Sequence, residues 1–365
     1  MSFPALPALA SEWLDEFYFL GTGTSSQVPS VHCILDGSQA KNTCATCADA
    51  LRPGSVNRRR CTSAVAVGAP PGRPEERSTI LIDCGKSFYE SIVDVFPKHG
   101  LRRVDAVLLT HAHADAILGL DDLRGWTMGG CIQDYVDVYL TAECMATVKS
   151  TFPYLVDASF ITGGGDVGAL RWHLIDAQKP FEAGPHRVPI LPLPVEHGFV
   201  GPERRPFECL GFRIDSMSYV SDCHAIPALT MAKMAGSEVV VMDALKMTRH
   251  ASHFSIPQAI QCILELASKL PAPPLALFVD LTHGVEHHTT EAKVQEVVHA
   301  LRCFRSTLPP ALEEHWWTPV WNADENEAQN AFVLHPTSGG TDDPCAEVPA
   351  MHLAIDGLRL VFTKA

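Results

Sequence analysis

Two histidines and an aspartate lie within five residues in the stretch Thr110-His111-Ala112-His113-Ala114-Asp115-Ala116. Neutral imidazole nitrogens and carboxylate oxygens are the donors that suit Zn²⁺ and other borderline divalent cations. The stretch follows Val104 to Leu109, an apolar run that reads as a buried strand bounded by charge. The donors therefore fall on a short turn at a strand's C-terminal end, where rigid scaffolds tend to carry their active sites.

Residues of the same character end later apolar runs. His197 follows Leu191 to Val195, Asp222 follows Tyr219-Val220-Ser221, Asp243 closes Val239 to Met242, and His283 follows Leu275 to Leu281. His250 and His253 lie just beyond Asp243. A single case would be a cap or a satisfied polar group. Their recurrence points to one site, because strand ends in one sheet converge on one edge.

A second constellation is Cys44-Ala45-Thr46-Cys47, with Cys33 upstream. Two thiolates at this spacing can bite one tetrahedral Zn²⁺ from a tight turn. The fourth ligand is expected from His287 or His288, and Cys61 is an alternative thiolate. Four protein ligands leave no position for water or substrate, so this zinc site is expected to be structural.

The elements that must position these groups follow from periodicity. Strands are expected over Glu16 to Leu20, Thr62 to Val67, Ser78 to Asp83, Val136 to Leu140, Arg171 to Ile175, Phe212 to Ser221, Glu238 to Asp243 and Leu275 to Leu281. Val188 to Val195 is proline-rich, which favours an edge strand. Helices are expected over Lys86 to His99, from Leu118 to Trp126, and over Ile256 to Leu270, with Phe254-Ser255 supplying the start. Met351 to Phe362 closes the chain with strand alternation. Strands and helices mixed in this order predict a layered α/β protein.

At 365 residues the chain can bury a large core. Its net charge of −14 argues against non-specific nucleic-acid binding, since no excess of cations exists to neutralise phosphates. Arg58-Arg59-Arg60 and Arg204-Arg205 are the short basic clusters that could meet a phosphate. No apolar stretch approaches the roughly 20 residues of a membrane span, and Met1 to Glu16 does not read as a secretory signal. Twelve cysteines without such a signal point to a reducing compartment, and a cytoplasmic location is expected.

On these residues the chain resembles the metallo-β-lactamase superfamily. The superfamily motif is His-x-His-x-Asp-His after a strand, followed by separated His, Asp and His ligands. His111, His113 and Asp115 match its first three places. Val195-Glu196-His197-Gly198 resembles the next His site, Tyr219-Val220-Ser221-Asp222 the strand end whose Asp bridges two metals, and Leu281-Thr282-His283 the final ligand. Gly21-Thr22-Gly23, Leu81-Ile82-Asp83-Cys84-Gly85 and Asp356-Gly357 extend the likeness over nearly the whole chain. The likeness is closest to the phosphoribosyl cyclic phosphate phosphodiesterases. That branch carries a Cys-rich loop after the first Gly-x-Gly turn, completed by a His just past the final active-site ligand. The spacing here is wider between Cys33 and Cys44, and His287 stands one residue further along, which leaves His287 and His288 open.

The resemblance implies a four-layer αββα sandwich of α/β class, spanning residues 1–365 as one domain. It would carry a Cys-rich zinc loop at 31–60 and an insertion at 318–348. His111, His113, His197 and Asp222 would hold one ion; Asp115, the bridging Asp222 and His283 would hold a second. Ala116 stands where the motif's last His would be, and it cannot ligate. One firm and one labile ion are therefore expected, Zn²⁺ or Mn²⁺, with two favoured over one. Asp222 would orient the nucleophile, Asp115 would count with it as catalytic through the second ion, and His253, in preference to His250, would protonate the leaving alkoxide. The implied activity is a metal-dependent hydrolase, a phosphodiesterase acting on a small phosphate ester or cyclic phosphate through a metal-activated water. A tRNA 3′-processing nuclease, another ester, thioester or lactone hydrolase, and a catalytically weak metal- or metabolite-binding relative are the alternatives. The expected partner is the small phosphate ester, with no membrane, no nucleic acid, and a homodimer left open.

Overall fold

The computed structural model describes residues 6–35, 44–163, 167–270, 272–304 and 348–364. The expected insertion at 318–348 lies outside them except for Val348. The first half of the chain supplies β1 (Leu9–Ser11), β2 (Leu14–Gly21), β3 (Ser63–Gly68), β4 (Ser78–Ile82), β5 (Ala106–Leu108), β6 (Val136–Leu140) and β7 (Leu170–Leu174). The second half supplies β8 (Phe181–Ala183), β9 (Val188–Val200), β10 (Arg205–Ile214), β11 (Met217–Val220), β12 (Val239–Asp243), β13 (Leu275–Val279), β14 (Ala350–Leu353) and β15 (Arg359–Lys364). Two mixed sheets result, ordered β1-β15-β2-β3-β4-β5-β6-β7 and β14-β13-β12-β11-β10-β9-β8. β15 returns from the chain's end to the first sheet, parallel to β1 and antiparallel to β2.

The layers follow from strands buried on both faces. In β3, Ala64 and Ala66 turn inward toward Phe17, Phe19, Phe212, Tyr219, Val241 and Leu277, which form the core between the sheets. Val65 and Val67 turn outward, under the helix Phe88–His99 and the segment Ala142–Thr151. The second sheet does the same with Val240, Met242, Ala276 and Phe278 beneath the helices Ile256–Ala267 and His287–Phe304. Continuous Val/Ile/Leu runs are what a strand between two apolar layers requires. The αββα expectation holds.

Two local expectations change. The helix expected from Leu118 is instead a 3₁₀ turn, Leu120–Leu123, followed by a single α-turn, Arg124–Thr127. The chain is pressed against the loop after β4 here: a Cβ on Gly119 would sit 2.4 Å from the Gly85 carbonyl oxygen. The proline-rich β9 is not the outermost strand, since β8 covers it, but only over Val188–Ile190. Beyond that, the carbonyls of Pro192 and Pro194 point away from β10 and accept from Lys233 and Thr230. A residue's N and C=O share one side of a strand, so both prolines spare a missing N–H on an unpaired side.

Candidate metal centre

β5 ends at Leu108, and the next residues tie both sheets to the motif loop. Leu109 N–H donates to the Tyr139 carbonyl on β6, and the Thr110 carbonyl accepts from Leu210 N–H on β10. His113 is the extended residue that opens the short turn Ala114–Ile117. The loop after β4 closes on the same turn, with Cys84 N–H donating to the Ala116 carbonyl at 2.8 Å. Only glycine fits at 85, where a Cβ would stand 1.5 Å from the Asp115 carbonyl oxygen. This approach holds Asp115 at the rim.

Three histidines meet: His111, His113 and His197 each bring one ring nitrogen within 4.8 Å of the others. Their tautomers are set by neighbours. The Thr110 hydroxyl donates to Asp83 Oδ2 at 2.8 Å and so is left to accept from His111 Nδ1, also at 2.8 Å. His197 Nδ1 lies 2.8 Å from the Ser252 carbonyl, which can only accept. Both Nε2 lone pairs are thereby free, the form a metal needs. His111 Nε2 is buried and has no hydrogen-bond partner among the described residues, an anomaly that a coordinated ion would resolve. Burial pulls His111 down to about 3 and His197 to about 4, so both rings are neutral at pH 7. Gly198, at φ +73, lets the chain turn after His197 and run 2.9 Å from Ser252 Cβ at the point where a Cβ would stand. Phe207 stacks on exposed His113, with ring centroids 5.3 Å apart.

Asp222 follows β11 and joins His197 and His253 in a second group of mutually close donors. Burial works to raise it, but the facing imidazoles of His111, His197 and His253 outweigh this and hold it at about 2. Of those rings only His253 is charged at neutral pH, so it is the one that keeps Asp222 ionised there. Asp115 is raised to about 6 by burial and by the Asp222 carboxylate. His111, His113 and His197 form one group of close donors and His197, Asp222 and His253 another; joined at His197, they offer the imidazole nitrogens and the anion that fit a divalent ion.

His253 meets two strand-end carboxylates. Its Nδ1 is 2.8 Å from Asp243 Oδ2, at the end of β12, and 3.0 Å from Asp280 Oδ2, just after β13. Both carboxylates are buried, and burial raises Asp243 to about 7 and Asp280 well above the usual range. Burial would lower His253, but Asp243 and Asp280 raise it to about 12. Ser255 completes a capping box with Gln258 and starts the helix Ile256–Ala267, a cap worth about 1 kcal/mol that anchors His253 two residues before it. His250 is exposed and its ring turns back to Ser252 instead.

His283 is not in this centre. Its Nδ1 lies 3.4 Å from Cys33 Sγ and 3.5 Å from Cys44 Sγ, and with Cys47 these residues form one tight group of donors. β13 ends at Val279, so Asp280 is the residue at the strand end facing the first cluster. Leu281 then pairs with the Gly21-Thr22-Gly23 corner and carries the chain over to the thiols. Arg59 fixes this path: its buried guanidinium donates to the carbonyls of Thr282 and Val285, on either side of His283. His287 and His288 do not complete the thiol site. His287 opens the helix His287–Phe304, its N–H donates to Asn57, and its Nδ1 is buried without a hydrogen-bond partner among the described residues; His288 is exposed. Cys61 stays apart, with Sγ on the Ser25 carbonyl. The basic run is also structural in part, since Arg60 pairs with Asp356 and Asp94.

Sequence reasoning missed Asp280, Phe207, Ser252 and the Thr110–Asp83 pair. Asp280 was findable, as the polar residue interrupting the apolar run Leu275 to Leu281. The others act through geometry alone.

This fold and this cluster of histidines and carboxylates define a metal-binding α/β sandwich. Residues 78–274 match the Beta-lactamase superfamily domain, and the chain belongs to that family. The expected superfamily is therefore confirmed. Among solved structures, a diphosphatase of the PhnP family is similar in fold at 22% identity, with a TM-score of 0.63 and coverage of 95% of this chain and 96% of that one. Zn²⁺-bound PqqB from Methylobacterium extorquens follows at 16% identity and a TM-score of 0.55, covering 94% of this chain and 99% of that one. A curated relative, an octanoyltransferase of Porphyromonas gingivalis strain W83, is 26% identical over 276 residues, which is 75% of this chain. The chain matches 47% of that protein's length, about half.

Proposed function

We propose that the protein is a metal-dependent hydrolase of phosphate esters, with a small diester or cyclic phosphate as substrate. The observation that carries this reading is the convergence of His111 and His113, on the loop after β5, with His197 of β9, which in turn lies close to Asp222 after β11, with two of the imidazoles held in the ligating tautomer. A divalent ion held by these residues would supply a nucleophile at neutral pH, by lowering the pKa of water to about 7, and would polarise a substrate oxygen. The chain's own groups do the rest. Asp222, ionised and buried, orients the attacking water. His253, held cationic by Asp243 and Asp280, carries the proton that the leaving oxygen needs. Lys86 lies close enough to Asp115 to pull its pKa down, and it is an exposed cation available to a substrate phosphate. Phe207 covers one side of the mouth.

The fold neighbour described as a diphosphatase favours phosphate chemistry over acyl chemistry. The described cysteines are free thiols, which fits a reducing compartment such as the cytoplasm. The test is hydrolysis of bis(p-nitrophenyl) phosphate by Mn²⁺- or Zn²⁺-loaded protein, beside p-nitrophenyl octanoate. Diester cleavage abolished by His111→Ala supports the reading. Cleavage of the octanoate ester alone moves it to an acyl hydrolase, and inertness on both removes it.

A further inference from the structure

We infer that Asp243, His253 and Asp280 form a further divalent-metal site, beside the imidazole cluster and separate from the thiols. The site stands on its own geometry and does not depend on the hydrolase reading. It shares no residue with the second-ion place of the superfamily pattern, where Ala116 offers no donor and His283 lies with the thiols.

The strands bring these donors together. β12 and β13 are parallel neighbours with Asp243 paired to Val279, so Asp243 closes one strand and Asp280 leaves the next. Asp280 holds φ +62, in the left-handed region, a strained conformation of the kind kept at functional sites. The loop that carries His253 is fixed just beyond it: Phe254 N–H donates to the Cys223 carbonyl at 2.7 Å, and the Phe254 carbonyl accepts from Leu245 N–H at 2.9 Å. One oxygen of each carboxylate and one imidazole nitrogen lie within 4.8 Å of one another.

Hydrogen bonding leaves this group unsatisfied. His253 Nδ1 carries at most one hydrogen, and it bonds Asp243 Oδ2 at 2.8 Å. Asp280 Oδ2 lies 3.0 Å from the same nitrogen, yet it has no hydrogen-bond partner among the described residues. Asp243 Oδ1 is buried and equally without one. The two carboxylate side chains are 0% and 2% exposed, so water does not make up the deficit. Buried carboxylates are ordinarily paired or bound to a metal. An imidazole and two carboxylates are the donors that Zn²⁺ and Mn²⁺ accept. Tetrahedral ligands with bonds of about 2.0 Å stand about 3.3 Å apart, so these donors need to open by only about 0.5 Å. On Nδ1 an ion takes the place of the hydrogen, and the ring keeps one on its other nitrogen for the leaving oxygen of the proposed reaction.

The test is metal content of the full chain by plasma mass spectrometry, after excess Zn²⁺ and gel filtration, with folding checked by circular dichroism. Three ions per chain are expected, one each for the thiols, the imidazole cluster and this site. Asp280→Ala, Asp243→Ala and His113→Ala should each leave two, and Asp280→Ala combined with His113→Ala should leave one. Asp280→Asn and Asp243→Asn keep the side-chain shape and replace the alanine variants if those do not fold. A count that Asp280→Ala leaves unchanged, an ion lost in Asp280→Ala but kept in Asp243→Ala, or a double variant that loses no more than either single one overturns the inference and leaves the hydrolase reading standing. Two ions in the wild type, untouched by His113→Ala and reduced to one by Asp280→Ala, overturn the hydrolase reading and support this site.

Discussion

The two donor clusters of this molecule are built from different materials. The thiol cluster gathers Cys33, Cys44 and Cys47 from one short loop region, with His283 brought across from the end of the second sheet. Its three thiols and one imidazole can close around an ion and leave no room for a substrate. The imidazole cluster draws His111 and His113 from the first sheet and His197 and Asp222 from the second, so it exists only where the sheets face each other. It offers nitrogen and oxygen donors, with exposed His113 at an open mouth. In the proposed reading, one cluster holds a loop in place and the other carries the reaction. His283 and its Arg59 clamp show that the first also defines one wall of the second, because the loop they fix begins at Asp280.

That division is broken or sharpened by substitution. His111→Ala should cost the most, removing the ion of the imidazole cluster while sparing that of the thiols. Its effect on kcat/KM should exceed the about 10–100-fold that loss of an outer hydrogen-bonding partner causes. Cys44→Ser should act the other way, leaving turnover nearly intact below the unfolding transition. It should lower the thermal midpoint, since an ion at 1,000 times its Kd contributes about 4 kcal/mol. If turnover collapses in Cys44→Ser as it does in His111→Ala, the clusters are not separable.

Thr110→Val keeps the side chain's shape but leaves His111 Nδ1 without its acceptor. Metal affinity at the imidazole cluster should fall about 10–100-fold, measured by competition with a chromophoric chelator. A pH series in chelator probes the same histidines in the metal-free protein. His111 and His197 are lowered to about 3 and about 4 in the folded chain, below the ordinary value of about 6.5. The unfolded chain therefore binds more protons between those values, so stability rises with pH in this window. Acidification from about 6.5 toward 3 should lower the thermal midpoint, and less so in a His111→Ala, His197→Ala double variant. His250→Ala should have the smallest effect, because its exposed ring touches only its own loop, whereas His253→Ala should lower kcat.

The fold was readable because burial on both faces leaves an unmistakable mark. Apolar runs such as Val239 to Met242 and Leu275 to Val279 could be placed as strands from sequence alone, and the polar residue after each could be placed on the reactive edge. What failed was distance along the loop. His283 follows its strand by a few residues, and sequence spacing alone allows it to face the imidazoles or the thiols. The pairing of Leu281 with the Gly21-Thr22-Gly23 corner and the grip of Arg59 decide between them. The proline strand was read more accurately than its position in the sheet suggests, since its prolines do face an unpaired side.

The order of types along the chain by itself pointed to a divalent-ion site at strand ends, because His111, His113, Asp115, His197 and Asp222 all carry nitrogen or oxygen donors that suit such an ion. It also determined that Ala116 withholds a ligand. Tertiary structure alone decided which histidine joins the thiols and which carboxylates hold His253. Those choices depend on the direction in which a backbone leaves a strand, set by partners hundreds of residues away.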